Sequence, residues 1–265
     1  MNYEMQLLIN RAILDRKYIE KILKSIHIDE PSLCIDVGCG PGISTKFISD
    51  CFLKAKVIGI DNSKNAIGIA KMYNCSNDIS FIHANAESMP FENDSIDFCF
   101  SRMLLDIVPD IDTIIDEMIR VIKPTGYIVI YGNTRTTATG NIQPRNAEKM
   151  MNAYKRYVRL TKRIGYNVPY VMKKLNNSGL ICREEKIIKD TNDPGRRALS
   201  EYYCVEKDKL DWLARNNILV KLNLVDYTDV IEYESDLAEL LGNENVFLSF
   251  EQSAIIASKI QNLVL

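Results

Sequence analysis

The stretch 33-LCIDVGCGPGIST-45 decides how this chain is read. Residues 33–37 have the composition of a buried strand, an apolar helical spacing begins near Ile43, and the turn between them carries Gly38, Gly40 and Gly42. Glycines at a strand-to-helix turn let the backbone bend sharply and approach a ligand without a side-chain clash. Residue identity narrows the ligand. A dinucleotide loop favours glycine where Ile43 stands, and a phosphate-cradling loop needs Lys followed by Ser or Thr, which this stretch lacks. The turn formed by Gly38, Cys39, Gly40 and Gly42 therefore favours a nucleoside without a pyrophosphate, with Cys39 read as a small packing residue rather than a nucleophile.

Outward from this turn, β-rich runs at 33–37, 57–60, 79–83, 96–100 and 127–131 alternate with helical stretches near 43–53, 63–73 and 111–122. Strands separated by helices pair in parallel through right-handed crossovers, so the pattern predicts a doubly wound, mostly parallel α/β sheet. Strands at 181–188 and 252–258 bring it to seven. Residues 3–26 read as one or two amphipathic helices ended by Asp29, Glu30 and Pro31; a basic helix is expected near 145–164, and another near 168–178 ending at Gly179. The expected divisions are N-terminal helices at 1–30, a ligand-binding core at 31–133, a lid helix and continuation of the core at 134–189, an inserted cap at 190–250 and a final strand at 251–265.

An open parallel sheet binds its ligand along the carboxyl ends of its strands, and polar groups recur there. Asp36 ends the first strand, placed to receive an ammonium group directly or through water, with holding the glycine turn as its alternative role. Asp61 ends the second, where a carboxylate accepts both hydroxyls of a ribose; its competing role, capping the next helix, is open equally to Ser63 or Asn62. Asn62 is a candidate for the adenine face, and Asn85 with the Ala86 N–H for the adenine edge, Asn85 having a plain turn role as its alternative. Ser101, Arg102 and Met103 follow the fourth strand into the cleft, with packing the competing role for Met103.

Composition limits the rest. The chain has 265 residues, 46% hydrophobic and 26% charged, which suits an ordinary globular protein. With 33 basic and 35 acidic residues there is no positive surplus to hold a polyanion, so nucleic acid is disfavoured as a partner. No apolar run reaches the ~18 residues of a membrane span, and the amino-terminal residues carry charges of both signs, unlike a signal peptide. The seven cysteines lack the paired spacings of a zinc site or disulfide framework, which points to a cytoplasmic protein with no metal.

The order of these signals resembles the class I S-adenosylmethionine methyltransferases, in particular the small-molecule branch related to ubiquinone and menaquinone C-methylases. The matching pieces are IDVGCGPG at 35–42, VIGID at 57–61, NAESMPF at 85–91, SIDFCFSRMLLDIV at 95–108 and MIRVIKPTGYIVI at 118–130. The resemblance implies a Rossmann-like methyltransferase fold with an inserted helical cap, S-adenosyl-L-methionine as cofactor and a small metabolite as acceptor. Two departures stand out. Asn85 replaces a frequent aspartate, and Leu105, Asp106 and Ile107 occupy the place where many members carry histidine, which excludes an imidazole base there. An RNA or protein methyltransferase is an alternative reading, as is a regulatory protein that binds the cofactor without catalysis.

Methyl transfer from a sulfonium is chiefly a matter of alignment in a water-poor cleft, and a base is needed only when the nucleophile arrives protonated. His27 and His83 read as structural, which leaves Asp106 either as a proton acceptor or as a cap for the helix entered through Pro109 and Asp110. Lys155, Arg156, Arg159, Lys162 and Arg163 form either a solvated helix face or an anion-binding patch. Residues from about 134–165 and 190–250 are expected to cap the carboxyl edge, with Tyr154, Tyr157, Arg196, Arg197, Tyr202 and Tyr203 as acceptor contacts; the competing use of the insertion is a dimer interface, so monomer and homodimer both stay open.

Overall fold

Core strands that are apolar on both sides require cover on both faces of their sheet. The computed structural model describes residues 3–26, 28, 30–74, 76–133, 139–161, 166–190, 214–215, 217–243, 245–246 and 248–259. Its elements run α1 (Tyr3–Lys24), β1 (Leu33–Val37), α2 (Ile43–Cys51), β2 (Lys56–Asp61), α3 (Lys64–Tyr73), β3 (Ile79–His83), β4 (Ile96–Arg102), α4 (Ile111–Val121), β5 (Ile122–Asn133), β6 (Thr139–Gly140), α5 (Ala147–Thr161), α6 (Val168–Asn177), β7 (Ile181–Asp190), α7 (Ile218–Lys221), α8 (Tyr227–Gly242) and β8 (Leu248–Ser258).

The chain forms two compact units: Met1–Thr134 with Gly165–Ile187 and Ser253–Leu265, and Arg135–Ile164 with Ile188–Gln252. In the first, the strand order is β3-β2-β1-β4-β5-β8, with β7 beside β8. Neighbours from β3 through β5 are parallel, as the crossover rule requires. The strands β1–β5, β7 and β8 make the seven-stranded, doubly wound architecture of the Rossmann-like methyltransferase fold, and the two-residue β6 pairs antiparallel with the start of β8.

Side chains alternate across the sheet and sort into two cores. Ile35, Val37, Cys99, Ile128 and Ile130 pack with α4 and α6, whereas Cys34, Phe98, Phe100, Val129 and Tyr131 pack with α1 and α2. Ile96 breaks this parity, lying with the first group although Phe98 lies with the second; the register between β4 and β5 shifts between these two residues. The amino-terminal segment is one helix, and it stops at Lys24, before the Glu30–Pro31 pair expected to end it. Ile19, Ile22, Leu23 and Ile26 anchor this segment in the core, each burial contributing about 1.5–3 kcal/mol.

The second unit has its own core, in which Ala147, Met150, Ala153 and Tyr157 of α5 meet Leu219, Val230, Tyr233 and Leu237. Lys149–Asp229 and Arg145–Asp236 ion pairs tie the start of α5 to α8. Residues 134–189, grouped together in the sequence reading, thus divide at about 165: α5 belongs with the later insertion, while α6 returns to the sheet.

Candidate functional site

The glycine turn is shaped by what lies behind it. Gly38 (φ 72°) and Gly42 (φ 82°) adopt the left-handed conformation. A Cβ at Gly38 would lie 2.8 Å from Leu104, and one at Gly42 would lie 2.7 Å from the Phe81 ring. The Gly38 and Cys39 N–H groups both donate to the Ile60 carbonyl, at 2.9 and 3.0 Å, which ties the turn to the end of β2. From the same strand end, Asp61 accepts from the Gly40 N–H at 2.9 Å and from the Ser63 N–H at 2.8 Å. Capping of α3 falls to Ser63, which accepts from the Ala66 N–H. The Asp61 carboxylate clamps the turn, and each of its oxygens retains a second lone pair for a ligand hydroxyl. Cys39 is buried and its thiol is pushed far up by burial, so it is no nucleophile.

Asp36 is 0% exposed. Its Oδ2 accepts from the Ser44 and Thr45 hydroxyls, both at 2.7 Å, in the first turn of α2. Its Oδ1 has no hydrogen-bond partner among the described residues. Burial pushes its pKa up to about 6 against the opposing effects of both hydroxyls and of Arg102. A buried acceptor of this kind needs an explanation, and a donor from a ligand supplies one.

At the end of β4, Ser101 is fully buried and its Oγ also lacks a partner among the described residues, but strand alternation directs it to the opposite face from Asp36. Arg102 departs from the cofactor contact expected of it. Its guanidinium turns to Asp15 of α1, Nε donating to Oδ2 at 2.8 Å, and burial lowers its pKa to about 10. Met103 holds a strained φ of 58°, its N–H donating to the Tyr131 carbonyl at 2.7 Å, and Leu104 presses on Gly38. Asp106 accepts a long 3.4 Å contact from the Asn133 N–H, and burial pushes its pKa up to about 6. The cap of α4 is Asp110, which accepts from the Asp112 and Thr113 N–H groups, so Asp106 does not serve as that cap.

The adenine candidates lie at the ends of β2 and β3. Asn62 is exposed and its carbonyl lies 3.0 Å from His83 Nε2. The Asn85 oxygen accepts from the Glu87 N–H at 3.0 Å in a local turn, and Ala86 is half-buried. Tyr157 and Tyr154 pack in the second unit's core, Tyr157 buried, so packing accounts for both in place of the acceptor contact expected of them. Lys155, Arg156 and Arg159 are exposed, as a solvated face requires. His27, Lys162, Arg163, Arg196, Arg197, Tyr202 and Tyr203 lie outside the described residues. Sequence reading missed Asp15, whose signal was its position among Ala12, Ile19, Ile22 and Ile26 on one helix stripe, and missed Ser44 and Thr45, which resemble ordinary first-turn residues.

Residues 35–130 match the family described as "Methyltransferase domain". A demethylmenaquinone methyltransferase of Oceanobacillus iheyensis is 34% identical over 122 residues, covering 44% of this chain and 51% of that protein. A sterol 4-C-methyltransferase of Caenorhabditis elegans is 30% identical over 128 residues, covering 44% of this chain and 38% of that protein. The chain thus spans about half the length, or less, of these curated relatives. Among solved structures, a Haemonchus contortus phosphoethanolamine N-methyltransferase in complex with S-adenosylhomocysteine superposes with a TM-score of 0.57 at 19% identity, covering 92% of this chain and 53% of that one.

Proposed function

We propose, from the match of residues 35–130 to the methyltransferase-domain family, that the chain is a class I methyltransferase that transfers a methyl group from S-adenosylmethionine to a small organic acceptor. The observation that carries the reading is the juxtaposition of the glycine turn, the Asp61 carboxylate that clamps it and the unpartnered Asp36 Oδ1, at the carboxyl ends of β1 and β2. These groups fit the cofactor in kind: Asp36 accepts from its ammonium, the free lone pairs of Asp61 accept from its ribose hydroxyls, and the backbone of Gly38 and Gly40 lets it approach. Asn62, Asn85 and the Ala86 N–H are the groups we assign to adenine, with Met103 beside them. When bound, S-adenosylmethionine supplies a methyl group already activated on sulfonium sulfur.

The chain contributes position, charge and exclusion of water. Asp106 is the group we assign to take a proton from an acceptor that arrives protonated; its half-buried carboxylate, held near pKa 6, is ionised at neutral pH yet basic enough to hold that proton. A small acceptor is supported by the named acceptors of the relatives and by a net charge of −2, which offers a polyanion no general attraction. Free thiols at Cys34, Cys39, Cys51, Cys99 and Cys182 support action in the reducing cytoplasm. Among the described residues no helix is long and apolar enough to cross a membrane.

The test is incubation with methyl-labelled S-adenosylmethionine and a whole-cell extract, followed by separation of small molecules, RNA and protein. Label in the small-molecule fraction is expected. Label confined to RNA or protein overturns the acceptor class, and no transfer to any fraction by a protein that binds the cofactor overturns the activity.

A further inference from the structure

We propose that Asp15, on the first helix, withholds the Arg102 guanidinium from Asp36 and so keeps Asp36 Oδ1 available to the ammonium end of the cofactor. This rests on the cofactor reading above and assigns a positioning role to a residue outside residues 35–130. In the β1–β4 register Asp36 stands beside Phe100, and Arg102 lies two residues further along β4 on the same face. That offset is about 7 Å along the strand, within reach of a long side chain. A guanidinium next to a buried carboxylate oxygen without a partner forms a charge-assisted pair by default. Yet Asp36 Oδ1 has none, because both the Nε and Nη2 groups of Arg102 donate to Asp15 Oδ2.

Asp15 itself is hard to account for by packing. It occupies the apolar stripe of α1 with its side chain 3% exposed, facing an Arg102 side chain that is 10% exposed. A buried ion pair is no more stabilising than a well-packed apolar pair of the same volume, so helix docking alone does not call for a carboxylate here. The Asp15 carboxylate fixes the Arg102 guanidinium by two hydrogen bonds, and Asp36 Oδ1 stays open to a cation from a ligand. Without Asp15, Arg102 would take the place of that cation and close the subsite.

The experiment compares S-adenosylhomocysteine, which carries the ammonium, with adenosine, which lacks it, by titration calorimetry. Wild-type protein binds both. Asp15→Leu is expected to weaken S-adenosylhomocysteine at least tenfold while adenosine stays within twofold. In the double variant Asp15→Leu/Arg102→Met no guanidinium is left to occupy Asp36, so S-adenosylhomocysteine affinity is expected to return to within threefold of wild type. The double variant removes both members of the Asp15–Arg102 pair, so neither is left buried without the other, which guards against a single variant that fails to fold. Equal loss of both ligands in Asp15→Leu, or no recovery in the double variant, overturns the proposal and leaves Asp15 as a docking contact for α1. Failure of wild-type protein to bind either ligand overturns the cofactor reading instead.

Discussion

Replacing Asp61 by alanine probes two roles at once, and the structure separates their sizes. In the free protein the carboxylate accepts from the Gly40 and Ser63 N–H groups at 2.9 and 2.8 Å. Bonds to a charged acceptor contribute about 1.5–3 kcal/mol each when buried, but Asp61 is half-buried and water can reach the vacated donors. About 2 kcal/mol of lost stability is therefore expected in total, a fall in Tm of roughly 4–8 °C for a protein of this size. The ribose contacts add a separate loss of about 1.5–3 kcal/mol in binding, or roughly ten- to a hundredfold in Kd for S-adenosylhomocysteine. Asp61→Asn is no gentler on the turn, because its amide nitrogen must face one of two N–H donors. Calorimetric titration beside a thermal melt gives both numbers. Wild-type affinity in a variant that melts several degrees lower would refute the ribose role and leave Asp61 as a clamp only.

Binding should also depend on pH. Asp36 must be ionised to take an ammonium, and burial holds its pKa at about 6, so S-adenosylhomocysteine affinity is expected to fall about tenfold per pH unit below 6, with adenosine unaffected; parallel curves for both ligands contradict the assignment. Stability runs the other way: because the folded-state pKa values of Asp36 and Asp106 are raised, what they contribute is full below their ordinary carboxylate range and is lost as pH rises through about 6. Gly38→Ala places a side chain at φ 72° and 2.8 Å from Leu104, for a loss of about 1–3 kcal/mol, and an unchanged urea midpoint would show that the turn is looser than described. Asp110→Ala should lower the urea midpoint by removing the cap of α4, whereas Asp106→Asn should leave stability unchanged or raise it; equal losses from the two would return Asp106 to a capping role.

Elements from 33 to 131 were legible because each strand end coincides with a polar residue or glycine and each helix restores a 3.6-residue period. Ser63 was readable as a cap candidate, together with Asn62, whereas Asp110 was passed over: the sequence reading weighed Asp106 for the place that Asp110 fills. Partnerships between distant residues were not legible. Nothing local to Arg102 points to Asp15, 87 positions earlier, and only a carboxylate on an apolar helix stripe hinted at a buried partner. Tyr157 misled for the converse reason, since an aromatic among basic residues looks like a binding surface until the helix it packs against is known.

Titration of the purified chain with S-adenosylhomocysteine and, separately, with NAD tests the central claim most directly. Ile43 stands at the start of α2 where a dinucleotide turn favours glycine, while Asp36 and Asp61 present acceptors to an ammonium and a ribose. Binding of S-adenosylhomocysteine with a Kd on the order of micromolar, about −8 kcal/mol, and no heat from NAD is the expected result; saturable binding of NAD with none of S-adenosylhomocysteine would contradict it.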